Sequence, residues 1–185
     1  MKKFYIMLIT VCMICSLAAC GKNKEEDEYA EIKEDVIEFV NEELPAIESD
    51  RNTAVSIYNS YFTSNDVNLE QFSSDLQNTA IPSMETYINN LTNIEVKTDE
   101  VKELKDLYLQ SAQKQLDAMN KVAASINEQN PDYLEEADSL IAESESLLLQ
   151  YQTQLRTLAL DAGITVNGDF GSATSTDATP SEVTP

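Results

Sequence analysis

Residues 130–163 read NPDYLEEADSLIAESESLLLQYQTQLRTLALDAG, and this stretch decides the fold. Leu134, Ala137, Ile141, Ser144, Leu148, Tyr151, Leu155, Leu158 and Ala162 follow one another at intervals that alternate three and four. That spacing puts them on one face of a long α-helix. Leu140 and Leu147 widen the stripe beyond a two-stranded seam. Asn130 supplies a cap, Pro131 suits the first helical position because its missing N–H has no partner there, and Gly163 is a stop. A helix with so broad an apolar face needs neighbours, and the chain upstream provides them.

Thr98 reads as an N-cap, with Asp99 and Glu100 well placed against the helix dipole. Val101, Leu104, Tyr108, Ala112, Leu116, Met119, Val122, Ala123 and Ile126 continue as a third helix. This is also the most basic part of the chain, through Lys97, Lys102, Lys105, Lys114 and Lys121, which are expected to face acidic neighbours or solvent. Asn68 caps a second helix running through Leu69, Phe72, Leu76, Ala80, Met84, Tyr87, Ile88, Leu91 and Ile94, with Pro82 inside it. The first helix starts at Tyr29 and runs through Ile32, Val36, Phe39 and Val40, then Leu44, Ile47, Val55, Tyr58, Tyr61 and Phe62. Pro45 and the polar stretch from Glu48 to Thr53 predict that it kinks or breaks. Turns fall near 63–68, 95–98 and 127–131. The predicted fold is all-α, an antiparallel up-down-up-down four-helix bundle with kinks near Pro45 and Pro82. In such a bundle both prolines come within about one helical turn of the same height, where a paired kink opens a small interhelical pocket or leaves only two bends.

The N-terminus has a different character. Lys2 and Lys3 precede an apolar run from Phe4 to Leu17, too short for a permanent membrane span of roughly twenty residues and the right length for a secretory h-region. Leu17-Ala18-Ala19-Cys20 then resembles the lipobox of bacterial lipoproteins. The resemblance implies cleavage between Ala19 and Cys20, attachment of diacylglycerol to Cys20, and a protein held on the extracytoplasmic face of the cell membrane. Residues 1–19 are read as a removed signal peptide, 20–28 as lipid anchor and charged lead, 29–164 as the bundle, and 165–185 as a disordered tail rich in Ser, Thr and Pro. The hairpin over 98–163 is further similar to small lipoproteins of Gram-positive bacteria, some described as cell-wall-binding; that likeness implies a setting and no functional residues.

Composition narrows the chemistry. Formal charge is −21, and removing Lys2 and Lys3 takes it to −23, a field that repels nucleic acid and anionic headgroups. Membrane attachment then has to come from the acyl chains. Cys12 and Cys15 leave with the signal peptide and Cys20 is alkylated, so no disulfide is expected. The sequence has no His and no Trp, which removes His-based nucleophile pairs and His-ligated metals. None of its four glycines sits in a phosphate-binding loop. Asp66-Val67-Asn68-Leu69-Glu70 lacks the Gly and distal Glu of a calcium loop. Glu25–Glu28, Glu42-Glu43, and Glu135-Glu136 with Asp138 have the makings of cation sites or paired catalytic carboxylates, but a solvated helix face gives the same pattern. Most of the tyrosines fall on apolar stripes and read as core-edge residues.

The expected protein is a non-catalytic, lipid-anchored interaction or envelope-structural protein. Cys20 is its modified residue, and no catalytic residue, metal or cofactor is assigned. Its partners are the membrane, through diacylglycerol, and an envelope protein or cell-wall component. The alternative is a ligand-binding lipoprotein with an interhelical pocket for a wall fragment, peptide or divalent cation.

Overall fold

The computed structural model describes residues 14–15, 26–63, 68–164 and 166–167. The stretch read as a signal peptide, apart from Ile14 and Cys15, lies outside the described residues, as do Cys20, most of the charged lead, residues 64–67 and nearly all of the tail. What is described is a helical bundle of four helices, apart from a two-residue antiparallel ladder between Ile14–Cys15 and Val166–Asn167.

The first helix joins α1 (Glu26–Glu38) to α2 (Leu44–Thr63) through one π turn, Phe39–Glu43. The second joins α3 (Leu69–Asp75) to α4 (Ile81–Asn93) through another, Leu76–Ala80. The third and fourth are single helices, α5 (Asp99–Glu128) and α6 (Asp132–Asp161). The first helix is therefore continuous through Pro45 and through the polar stretch Glu48–Thr53, where a break was one expectation.

Both π turns have the same local cause. Proline lacks an N–H and crowds the carbonyl four residues earlier, here that of Asn41 or Asn78. In each case the residue before proline bonds one step further back: Leu44 N–H donates to the Phe39 carbonyl, and Ile81 N–H to that of Leu76. The two segments share a spacing, Phe39-x-Asn41-x-x-Leu44-Pro45 and Leu76-x-Asn78-x-x-Ile81-Pro82. Asn78 donates from Nδ2 to the Ser74 carbonyl at 2.8 Å, satisfying an acceptor of the preceding turn.

The caps follow the sequence closely. Asn68 Oδ1 accepts from Gln71 N–H at 3.1 Å, and Thr98 Oγ1 accepts from Val101 N–H at 3.4 Å. At the far end of α6, Gly163 takes φ +64°. There Ile164 N–H reaches the Ala159 carbonyl at 2.7 Å and Gly163 N–H that of Leu160 at 3.1 Å, the two bonds of a Schellman stop. Pro131 sits one place earlier than the sequence suggests, just outside α6. Asn130 Oδ1 accepts from Asp132 N–H at 3.2 Å in a local turn instead of capping deeper.

The last two helices run antiparallel, as their cross-pairs require. Lys121 meets Glu136 and Lys114 meets Glu143, both at 2.5 Å. Ser111 Oγ lies 2.8 Å from Ser144 Oγ, and the Tyr108 and Tyr151 rings are 4.9 Å apart. Small residues at 111 and 144 bring the two backbones close, so Ser111 also reaches the Ser144 carbonyl at 3.2 Å. Val36, Phe39, Leu76, Met84 and Leu91 of the first two helices meet Val101, Leu104 and Leu155 of this hairpin in the core, all essentially buried. Each contributes about 1.5–3 kcal/mol by leaving water.

Polar groups fix how the first two helices dock. Asp35, buried on α1, accepts from Lys97 N–H at 2.9 Å, and from Thr98 N–H and Oγ1–H at 2.7 Å each. Lys105 of α5 donates to the carbonyls of Thr92 and Ile94, closing the end of α4. Ser73 of α3 donates to Asn127 Oδ1 at 2.8 Å. Among the described residues, no helix is long and apolar enough to cross a membrane.

Candidate functional site

Among the described residues, a small cleft opens at the first of the two proline levels. One wall is a strip of the first helix: Val40 within the π turn and Leu44 just after it, then Pro45 and Glu48. Its floor is three tyrosines brought from three helices, Tyr87 of α4, Tyr108 of α5 and Tyr151 of α6. Pro82 is not part of its lining, so the two prolines do not share this cleft. The cleft has a volume of about 10 Å³, close to the space one water needs.

Next to the floor lies Arg51, at 2% exposure the largest fully buried side chain among the described residues. Its guanidinium carbon stands 5.9 Å from the centre of the Tyr108 ring. Helical spacing carries it there: Ile47, Arg51, Val55 and Tyr58 recur every three or four residues, so the arginine occupies a core position of α2. Among the described residues it has neither an ion pair nor a hydrogen bond, and the ring face of Tyr108 is its recorded partner.

Burial pushes the phenol of Tyr87 far above its ordinary value, with Tyr108 adding to the effect and the Arg51 cation opposing it. Tyr151, wholly buried, moves the same way through burial and then Tyr108. Tyr58 is raised by burial and by the negative charge of Asp138. All three stay neutral across the physiological range. These tyrosines belong to the core itself, where the sequence placed them at its edge.

A second polar layer lies one to two turns along the last two helices. Gln115 Nε2 donates to Ser144 Oγ at 3.0 Å, while Gln115 Oε1 is buried with no partner. Asn41 Oδ1, inside the first π turn, is likewise buried and unpartnered.

The acidic groups fall differently. Glu135, Glu136 and Asp138 are exposed, and Glu136 is engaged by Lys121. Glu42 is exposed and Glu43 half-buried. Among the described residues no three metal-ligating side chains converge. The residues read from sequence as the modification and processing site, Ala19 and Cys20, lie outside the described part, as do Glu25 and Asp66.

Residues 1–159 match the family described as EMYY-motif containing lipoprotein. The chain belongs to this lipoprotein family. The match runs from residue 1 nearly to the end of α6, so the apolar N-terminal stretch and the helices are matched together. Membership makes this EMYY-motif lipoprotein a lipid-anchored, envelope-associated protein. The four letters Glu-Met-Tyr-Tyr do not occur consecutively in it. No curated protein and no solved structure gives a significant match.

Proposed function

We propose that this lipoprotein is a non-catalytic interaction or envelope-structural protein, tethered through Cys20 to the extracytoplasmic face of a Gram-positive-type membrane. In this reading the signal peptide is cut between Ala19 and Cys20, and diacylglycerol on Cys20 is the anchor. The bundle stands up-down-up-down, bends near Pro45 and Pro82, and offers its acidic turns to an envelope protein or cell-wall partner. The observation that carries the reading is the lipoprotein-family match across leader and helical domain together. The formal charge of −21 supports it, because a polypeptide so acidic needs the lipid to stay at an anionic surface.

The test is Cys20→Ser with cell fractionation. The variant should leave the membrane fraction, or accumulate unprocessed, while the purified helical domain keeps its circular dichroism. A processed Cys20→Ser protein that stays in the membrane overturns the anchor. Cross-linking in cells should recover an envelope protein or wall fragment, and recovery of the bare protein alone argues against the interaction role.

A second reading, a ligand-binding lipoprotein, is favoured by one observation: the tyrosine-floored cleft lies beside an arginine whose charge has no counter-ion among the described residues.

A further inference from the structure

We propose that the outer face of α6 from Leu149 to Leu160 is the surface this protein lays on the phospholipid bilayer that holds its own anchor. The proposal rests on the reading of Cys20 as the lipidated residue, and it says which side of the bundle then meets the lipid.

The distribution of charge singles out the region. The chain has 33 Asp and Glu, yet none falls between Glu145 and Asp161. Within that stretch Leu149, Thr153, Arg156 and Leu160 follow at intervals of four, three and four, which sets them on one side of the helix. That side points away from the core. Leu149 is 63% and Leu160 68% exposed, the two highest values for a large apolar side chain among the described residues. A second acid-free stretch lies between Asp50 and Asp66, but over 51–60 it exposes Asn52, Thr53, Ser56 and Ser60 and no large apolar side chain. The leucines therefore distinguish α6 from a merely neutral surface.

The polar groups of this face are suited to leaving water. Thr153 Oγ1 donates to the Leu149 carbonyl at 2.8 Å, and Thr157 Oγ1 to that of Thr153 at 3.0 Å. Both hydroxyl protons are thus satisfied within the helix, which lowers the cost of covering them. Arg156 is exposed, and the ion pairs among the described residues all use lysines. A guanidinium on a long apolar stem can hold its fork at the level of the phosphates while the stem lies against lipid.

Position favours the bilayer as the occupant. α6 ends where α1 begins: Lys33 Nζ donates to the Gly163 carbonyl at 3.4 Å. From Cys20 to the start of α1 at Glu26 the chain reaches at most about 20 Å, so the anchor keeps Leu160 close to the lipid. Contact made on such a tether is intramolecular, and a small surface suffices. Elsewhere the formal charge of −21 repels an anionic headgroup layer. Leu149 and Leu160 are roughly 16 Å apart along the axis, so both meet the lipid only when α6 lies along the membrane plane. The bundle rests on its side.

Tryptophan fluorescence tests this, because the chain has no Trp of its own. Leu149→Trp and Leu160→Trp place a single probe on the face, and Asn52→Trp places one on the other acid-free stretch; all three positions are exposed. The protein beginning at Cys20, its one remaining cysteine, is coupled through that thiol to a maleimide lipid in vesicles of phosphatidylcholine and phosphatidylglycerol. Emission from the two leucine variants should shift to shorter wavelength and be quenched by brominated lipid, and Asn52→Trp should do neither. Adding Arg156→Glu to Leu160→Trp should weaken the quenching. Leucine variants that stay unquenched on vesicles carrying them overturn the proposal, and so does equal quenching of Asn52→Trp. A shift that needs no vesicles and grows with protein concentration identifies a second copy as the occupant and overturns the lipid. The coupled thiol supplies the tether whatever happens to Cys20 in the cell, so failure here is distinct from failure of the Cys20→Ser fractionation.

Discussion

Asp35 and Thr98 are joined twice: the same carboxylate oxygen, Oδ2, accepts the Thr98 backbone N–H and its hydroxyl, each at 2.7 Å. Thr98 is itself the N-cap of α5, so a buried negative charge from the first helix sits at the positive end of the third. The pair is 63 residues apart in sequence and fastens α1 to the start of the hairpin that forms half the bundle.

Removing that carboxylate should be costly. Asp35→Ala leaves two backbone N–H groups and a hydroxyl without their acceptor, and unfolding in urea should show a loss of about 2–3 kcal/mol. Lys97→Ala breaks only the exposed ion pair with Glu38, 2.6 Å long, and should leave the urea midpoint essentially unchanged. Equal losses in the two variants would mean that the buried clamp is not the stabilising part of this junction.

The C-terminus of α5 offers an easy gain. Gln129 takes φ 53°, a left-handed conformation that costs a residue with a Cβ about 1 kcal/mol, and Asn130 N–H bonds the Ser125 carbonyl behind it. Gln129→Gly should raise stability by about 0.5–1 kcal/mol. Gly163→Ala, at φ +64° but with open space around a Cβ, should lower it by a similar amount through backbone strain alone. Thermal melts of both variants check the two signs together.

Alkali should unfold the protein through its tyrosines. Tyr58, Tyr87 and Tyr151 have phenol pKa values raised by burial, while the unfolded chain ionises near pH 10. A group whose pKa is higher when folded stabilises fully below its unfolded pKa and loses that contribution as pH climbs toward the folded one. The urea midpoint should therefore be insensitive to these groups below pH ~10 and fall steadily above it. Tyr151→Phe should make the alkaline slope shallower, and the tyrosinate absorbance of these three buried phenols should appear with unfolding instead of before it.

The close approach of α5 and α6 depends on Ser144, whose backbone and hydroxyl oxygens meet Ser111 at 3.2 and 2.8 Å. Ser144→Leu should force the helices apart and cost about 1–3 kcal/mol. Ser144→Ala keeps the spacing and loses only the bonds to Ser111 and Gln115, so its cost in the same unfolding assay should be smaller.

Much of this was legible in the residues, and the misses have physical reasons. Three-four spacing and cap chemistry found α5 and α6, because local periodicity is what burial of one face requires. The stretch Glu48–Thr53 read as a break because Arg51 was scored as polar; its core position shows only when Ile47, Arg51, Val55 and Tyr58 are followed as one stripe. The sequence left two readings at the prolines, a shared pocket or two bends; the small cleft at Pro45 does not include Pro82, because its floor is set by tyrosines from the other three helices. Asp35 could not have been singled out, since its partners are more than sixty residues away. The matched spacing of Asn41 to Pro45 and Asn78 to Pro82 is a signal that was present and not used.

A π turn within an α-helix is one residue more than the α-helical pitch needs. At 3.6 residues per turn, one residue is about 100° of rotation. The surplus at Phe39–Glu43 therefore sets the azimuth of everything before it relative to α2. Delete it, and Ile32, Asp35 and Val36 swing about a quarter of a circle from the faces they now meet, with Asp35 no longer aimed at Thr98. The proline that demands the surplus is thereby the residue that aims the first helix.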